Sequence, residues 1–162
     1  MEIDSHLVIH WKSEPFNLGQ LPEVAARLLL ELHAVLDSSA GKFPRGVVAL
    51  QGEMGACKTT LVQALCRAWG FEQQAVSPTF GLVQQYQLQE QTIYHMDLYR
   101  LNSEEEAWDL GLTEYLDAEA LNFVEWPEQA PGLLPKESVL LQVQVDGPQH
   151  EGLRKLILTV PA

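Results

Sequence analysis

Gly52-Glu53-Met54-Gly55-Ala56-Cys57-Lys58-Thr59-Thr60 lies between an apolar run, Val47-Val48-Ala49-Leu50, and a helical pattern that extends from Leu61 to Trp69. A short apolar run, a glycine turn and an amphipathic segment predict a strand, a loop and a helix in that order. The spacing is that of the phosphate-binding loop G-x-x-x-x-G-K-[ST] at every fixed position but one. Cys57 stands where the glycine before the lysine is expected.

In such a loop, successive backbone N–H groups face a concavity at a helix N-terminus, where unpaired donors and the macrodipole favour a polyanion. Lys58 is then placed to meet the β- and γ-phosphates. Thr59, expected as the first helical residue, is placed to offer its hydroxyl to Mg²⁺, an ion that takes hard oxygen ligands and retains several waters. The same residues would also suit a glycine turn that merely caps a helix. The strand before and the amphipathic helix after favour the phosphate loop.

The chain has 162 residues, of which 46% are apolar, enough for one core, and the expectation is a single domain over residues 1–162. Ten basic residues against 22 acidic ones give a formal charge of −12, which repels a nucleic-acid backbone and suits a protein partner with a basic face. The two cysteines, Cys57 and Cys66, have neither zinc-site spacing nor the pattern of a disulfide framework, so the chain reads as reduced. The start, Met-Glu-Ile-Asp, lacks the features of a secretion signal, and no run is long enough for a bilayer, which predicts a cytosolic protein without membrane contact.

Along the chain, residues 5–11 alternate as a short edge strand, with His6 and His10 expected in solvent. Residues 21–36 keep helical spacing through Leu21, Ala25, Leu28 and Leu32, with Pro22 in the first turn. Residues 37–46 read as a surface connection. Cys66 is expected in the core and Gly70 as the cap of the second helix. Ser77-Pro78-Thr79-Phe80 reads as a break before a hairpin of strands 80–88 and 92–98. Ser103 and Glu106 form a capping box for a short helix ending near Gly111, whose acidic first turn favours the dipole rather than a metal. Residues 121–126 read as a buried strand stopped by Pro127, and residues 139–145 and 153–160 as an antiparallel C-terminal hairpin.

Ligands of an open α/β sheet collect beyond the carboxyl ends of its strands. Asp97 and Glu125 both end apolar strands, and Thr79 follows the phosphate-loop helix, where a nucleotide-sensing switch commonly lies. Singly, each has an ordinary explanation: a solvated or paired acid, or a threonine capping a turn. Together they supply what a metal triphosphate needs, an oxygen ligand outside the loop and a group to position water.

The ordered set Gly52 through Thr60, Ser77-Pro78-Thr79-Phe80, Tyr94-His95-Met96-Asp97-Leu98-Tyr99-Arg100-Leu101 and Val124-Glu125-Trp126-Pro127 resembles the bacterial TsaE (YjeE) family. These are small P-loop ATPases that work with TsaD and TsaB in the threonylcarbamoyladenosine (t6A) modification of tRNA. The match covers residues 47–128. The resemblance implies a three-layer α/β/α fold of the P-loop NTPase kind, with a mixed central sheet and a C-terminal antiparallel hairpin. It implies that Gly52, Gly55, Ala56, Cys57, Lys58, Thr59 and Thr60 contact ATP or ADP, that Thr59 and Glu125 hold Mg²⁺, and that Thr79, Asp97 and Glu125 serve hydrolysis. Trp126 walls the site or packs at the strand end. Part of the adenine pocket would come from residues 14–17, and hydrolysis would reset the TsaD–TsaB complex rather than modify tRNA.

Cys57 adds a Cβ and a sulfur where glycine permits a tight turn and close approach of phosphate. The expectation is weakened binding with function kept, since Lys58, Thr59, Thr79, Asp97 and Glu125 remain. A thiol at a helix N-terminus beside Lys58 is also expected to have a lowered pKa, which would allow a redox brake. Two rival functions stand: a nucleotide-sensing partner subunit without turnover, and a small-molecule kinase. The kinase would need an arginine-bearing lid, whereas Arg27, Arg45, Arg67, Arg100 and Arg154 are scattered.

Overall fold

Val47, Val48, Ala49 and Leu50 are all buried, Val48 and Leu50 in one apolar cluster and Val47 and Ala49 in another. A strand that is apolar on both faces has to be covered on both sides, which places it at the centre of a layered sheet. The computed structural model describes residues 7–38, 43–71, 76–79, 81–147 and 152–162, and for 76–79 the backbone alone.

Among these residues, eight strands form one mixed sheet: β1 (Leu7–Lys12), β2 (Gly46–Gln51), β3 (Val76–Thr79), β4 (Val83–Leu88), β5 (Gln91–Asp97), β6 (Leu121–Glu125), β7 (Val139–Asp146) and β8 (Leu153–Pro161). Their spatial order is β1-β8-β7-β2-β6-β5-β4-β3. The four inner strands β7, β2, β6 and β5 are parallel, and the strands on either flank are antiparallel to their neighbours. The expected C-terminal hairpin is the β7–β8 pair.

One face is covered by α1 (Leu21–Val35) and α2 (Lys58–Ala68), whose Leu28, Leu32, Leu61 and Leu65 join Phe123 and Leu141 in a core. The other face carries two short helices, α3 (Glu104–Asp109) and α4 (Leu112–Asp117). There Ala107, Leu112 and Leu116, with Leu133 and Leu134 of the following crossing, meet Met96 and Val124. Three layers result, as expected, with the thicker helical layer behind the phosphate loop. No described helix is long and apolar enough to cross a membrane.

Several local readings change. Ser77, Pro78 and Thr79 belong to the edge strand β3 rather than to a break, since proline is tolerated where its missing N–H faces no partner. Helix α4 was not foreseen; Gly111, at φ 72°, turns the chain between α3 and α4 instead of ending the helical region. A register shift between Ile9 and Trp11 breaks the alternation of β1. His10 is exposed as expected, although it also bonds Glu31 of α1 at 2.9 Å, while His6 lies outside the described residues. The Ser103 Oγ accepts from the Glu106 N–H at 3.2 Å, but the Glu106 carboxylate accepts from Asn102 rather than Ser103.

Candidate functional site

The parallel register brings Leu141, Leu50, Glu125 and Asp97 side by side on β7, β2, β6 and β5. The two acids therefore emerge at the sheet edge from which the chain leaves β2 as the loop. Thr79 ends β3 at the same edge, because it pairs with Val83 and Val83 pairs with Met96. Two strand spacings separate β3 from β5, roughly 10 Å. The Thr79 side chain lies outside what is described.

Between β2 and α2 the loop turns tightly. A Cβ on Gly52 would sit 2.8 Å from the Val143 carbonyl oxygen, so close packing against β7 requires glycine there. Gly55 and Cys57 both have left-handed backbones, φ 82° and 72°, and between them the Ala56 N–H bonds the Glu53 carbonyl at 3.0 Å. Left-handed residues in such a turn rotate successive amides toward one side, the geometry of an anion nest. The first-turn amides of Lys58, Thr59 and Thr60 add donors that have no intrahelical acceptor. Ala56 is fully buried, so its side chain serves the core while its backbone shapes the loop.

Cys57 packs against the core beneath the loop. The departure from glycine is thus felt mainly in the backbone, where a left-handed residue costs about 1 kcal/mol. Burial raises the Cys57 thiol pKa, and the charge and hydrogen bond of Arg154 only partly oppose it. The expected low-pKa thiol is not present; desolvation outweighs the adjacent cation.

Above the loop, Thr59 Oγ1 donates to Glu125 Oε2 at 2.9 Å, and His95 Nε2 bonds the same oxygen at 2.5 Å. Glu125 is 4% exposed. Burial alone would raise its pKa, but the bonds from His95 and Thr59 and the charge of Lys58 prevail and hold it below the usual glutamate value. Lys58 is 5% exposed; its Nζ donates to the Gly52 carbonyl at 2.7 Å and lies 3.9 Å from the Trp126 ring centroid. Burial draws the Lys58 pKa down against the opposing charges of Glu125, Glu128 and Asp97. Trp126 has φ 57°, the left-handed turn that lets the chain leave β6 with its ring over the lysine, and its other neighbour is Tyr99 at 5.0 Å between centroids. Asp97 is exposed and accepts from the Tyr99 N–H at 3.1 Å.

Gly55, Cys57, Lys58, Thr59, Thr60, Asp97, Glu125 and Trp126 surround one cavity of about 290 Å³, together with Met54 and Tyr99. Gly52 lines an adjoining cavity of about 1130 Å³ with Pro15, Trp126, Gln142, Gln144 and Arg154. Trp126 borders both cavities, at the point where the chain leaves β6. Sequence reasoning gave no role to His95, Tyr99 or Arg154. A histidine on the inward phase of β5 and an arginine on the inward phase of β8 were the available signals, since polar groups at such positions need partners.

The family model for "Threonylcarbamoyl adenosine biosynthesis protein TsaE" matches residues 20–155. A protein of Haemophilus influenzae described as tRNA threonylcarbamoyladenosine biosynthesis protein TsaE is 32% identical over 80% of this chain and 77% of its own length. One of the same description from Bacillus subtilis is 35% identical over 64% of this chain and 65% of its own, slightly under two thirds. The crystal structure of Bacillus subtilis YdiB superposes with a TM-score of 0.64 over 96% of this chain and 86% of that one at 24% identity, a likeness of fold. The chain belongs to the TsaE family of threonylcarbamoyladenosine biosynthesis proteins.

Proposed function

We propose that this protein binds ATP with Mg²⁺ in the paired cavities and hydrolyses it as an accessory of a TsaD–TsaB complex in t6A modification of tRNA, in the cytoplasm. The observation that carries this reading is the bond between the Thr59 hydroxyl, in the first turn of α2, and the Glu125 carboxylate at the end of β6. A hydroxyl and a buried, ionised carboxylate converging beside an anion nest fit a small hard cation. Among the described residues no three His, Cys, Asp or Glu side chains cluster as a metal cage, so phosphate oxygens and water would complete the shell. Bound there, Mg²⁺ would neutralise phosphate charge during transfer to water.

The chain's own groups divide the remaining work. The loop amides and the Lys58 ammonium bind the β- and γ-phosphates, with Lys58 exchanging its bond to the Gly52 carbonyl for phosphate oxygens. His95 holds Glu125 in orientation. Asp97 and Thr79, at the same sheet edge, position the attacking water and sense the γ-phosphate. The larger cavity, which Pro15 lines, accepts the ribose and base. Cys57 lowers affinity without abolishing function.

Phosphate release from ATP, measured for this protein alone and with TsaD and TsaB, tests the proposal. Slow release that the partners stimulate is expected. Binding without release under either condition would favour a nucleotide sensor, and transfer of the γ-phosphate to a metabolite would favour a kinase.

A further inference from the structure

Lys58 begins α2, and its side chain is enclosed although it carries a charge. Its Nζ has three donors, of which the Gly52 carbonyl takes one at 2.7 Å. The face of the Trp126 ring lies 3.9 Å from the same nitrogen, measured to the ring centroid. Among the described residues no carboxylate forms an ion pair with Lys58. The ammonium is therefore held by a carbonyl and a π face, without a direct anion.

Trp126 is itself fixed. Its backbone is left-handed, φ 57°, an uncommon state for a bulky residue, and its carbonyl accepts from the Gln129 N–H at 3.1 Å across the short 3-10 turn Pro127–Gln129. Tyr99 flanks the indole at 5.0 Å between centroids, and the Tyr99 N–H is bound in turn by Asp97. Lys58, Tyr99 and Trp126 line one cavity together with Gly55, Thr59 and Glu125.

A buried cation needs a partner, and a paired carboxylate would compete with phosphate for it. An aromatic face attracts the cation through its quadrupole without supplying negative charge, and the attraction strengthens away from water. A lysine stem loses rotamer freedom when it grips a ligand, and a stem already confined by a ring loses less.

We propose that Trp126 is a positioning residue for Lys58, its ring confining the ammonium beside the amide nest and leaving its charge to meet phosphate. The proposal rests on the nucleotide-binding reading above and adds to it a residue outside the loop. Trp126 acts through the lysine, not by stacking on the ribose or base.

Pyrophosphate separates these two roles, because it keeps the phosphates that Lys58 would meet and lacks a nucleoside. Trp126→Leu should weaken binding about tenfold for ADP and for pyrophosphate alike, the two losses agreeing within about threefold. Trp126→Phe, which keeps a smaller π face, should lose only about threefold for each. Calorimetric titration of ADP, and displacement of ADP by pyrophosphate in the same magnesium buffer, are run on the full chain and the variants after circular dichroism confirms folding. If Trp126→Leu misfolds, Trp126→Phe alone must show its smaller loss with both ligands. A loss confined to ADP would overturn the proposal and make the ring a wall for the nucleoside. Unchanged or tighter binding in Trp126→Leu, or a phenylalanine no better than leucine, would also overturn it, as would a parent from which pyrophosphate does not displace ADP. Those results leave the nucleotide reading intact. Absence of ADP binding in the folded parent would overturn both.

Discussion

Glu125 shows how the site sets the charge of a single group. Removing a carboxylate from water favours its neutral form, yet two donors and a nearby ammonium keep it ionised. Its folded pKa lies below the ordinary glutamate value, so the folded state binds fewer protons than the unfolded state. The stabilisation is therefore complete above that ordinary value, about 4.3, and is lost as pH falls through the folded pKa. Urea unfolding between about pH 5 and pH 3 should accordingly show a shallower loss of stability in Glu125→Gln than in the parent; equal slopes would contradict this electrostatic account. At position 57, replacing cysteine with glycine should improve ADP affinity by no more than about fivefold, because the strain removed is ~1 kcal/mol. A larger gain in a calorimetric comparison would mean that the side chain obstructs phosphate directly.

At the scale of elements, helix α2 does two tasks. Its apolar face, with Leu61, Leu65 and Cys66 buried, fastens it to the sheet, and its N-terminus supplies first-turn amides to the loop. Leu65→Ala should lower stability by about 2–5 kcal/mol, read in urea denaturation, since it opens a cavity against a fully packed core. Ser103→Ala should cost about 1 kcal/mol by the same measurement, through loss of the bond to the Glu106 amide. The strands that build the site were legible because β2 is a continuous apolar run, β6 is apolar but for Asn122 until its last residue, and β5 and β6 end in acids that lie in register. What escaped was written more weakly. Strand β3 contains a proline that reads as punctuation unless the strand is known to lie at an edge. Helix α4 has only six residues, too few for a periodic pattern to emerge. Arg154 is a different case: the alternation of β8 points it inward, but only the fold brings it to the wall of the larger cavity beside Gly52. Likewise, the sequence marks Cys57 as an exception, and only the packing shows that its thiol turns to the core.

For the whole molecule, topology and charge decide what can approach. Parallel inner strands gather their carboxyl ends at one edge, so residues far apart in the chain, such as Thr59 and Glu125, meet there. The net charge of −12 opposes a polynucleotide and favours a partner with a basic face. The proposed association with TsaD–TsaB should therefore slow as ionic strength rises, and the isolated protein should not retain tRNA on a filter at about 0.15 M salt. Salt-independent association, or tight tRNA binding by the protein alone, would contradict that distribution of roles.

The central claim is that the loop between β2 and α2, with Lys58, Thr59 and Glu125, forms a working site for a magnesium nucleotide. Isothermal titration of ADP into the protein at millimolar magnesium tests it most directly. A saturable heat is predicted, strongly reduced in Lys58→Ala and dependent on magnesium through Glu125. No heat from the folded parent, or a heat unchanged in Lys58→Ala, would contradict the claim.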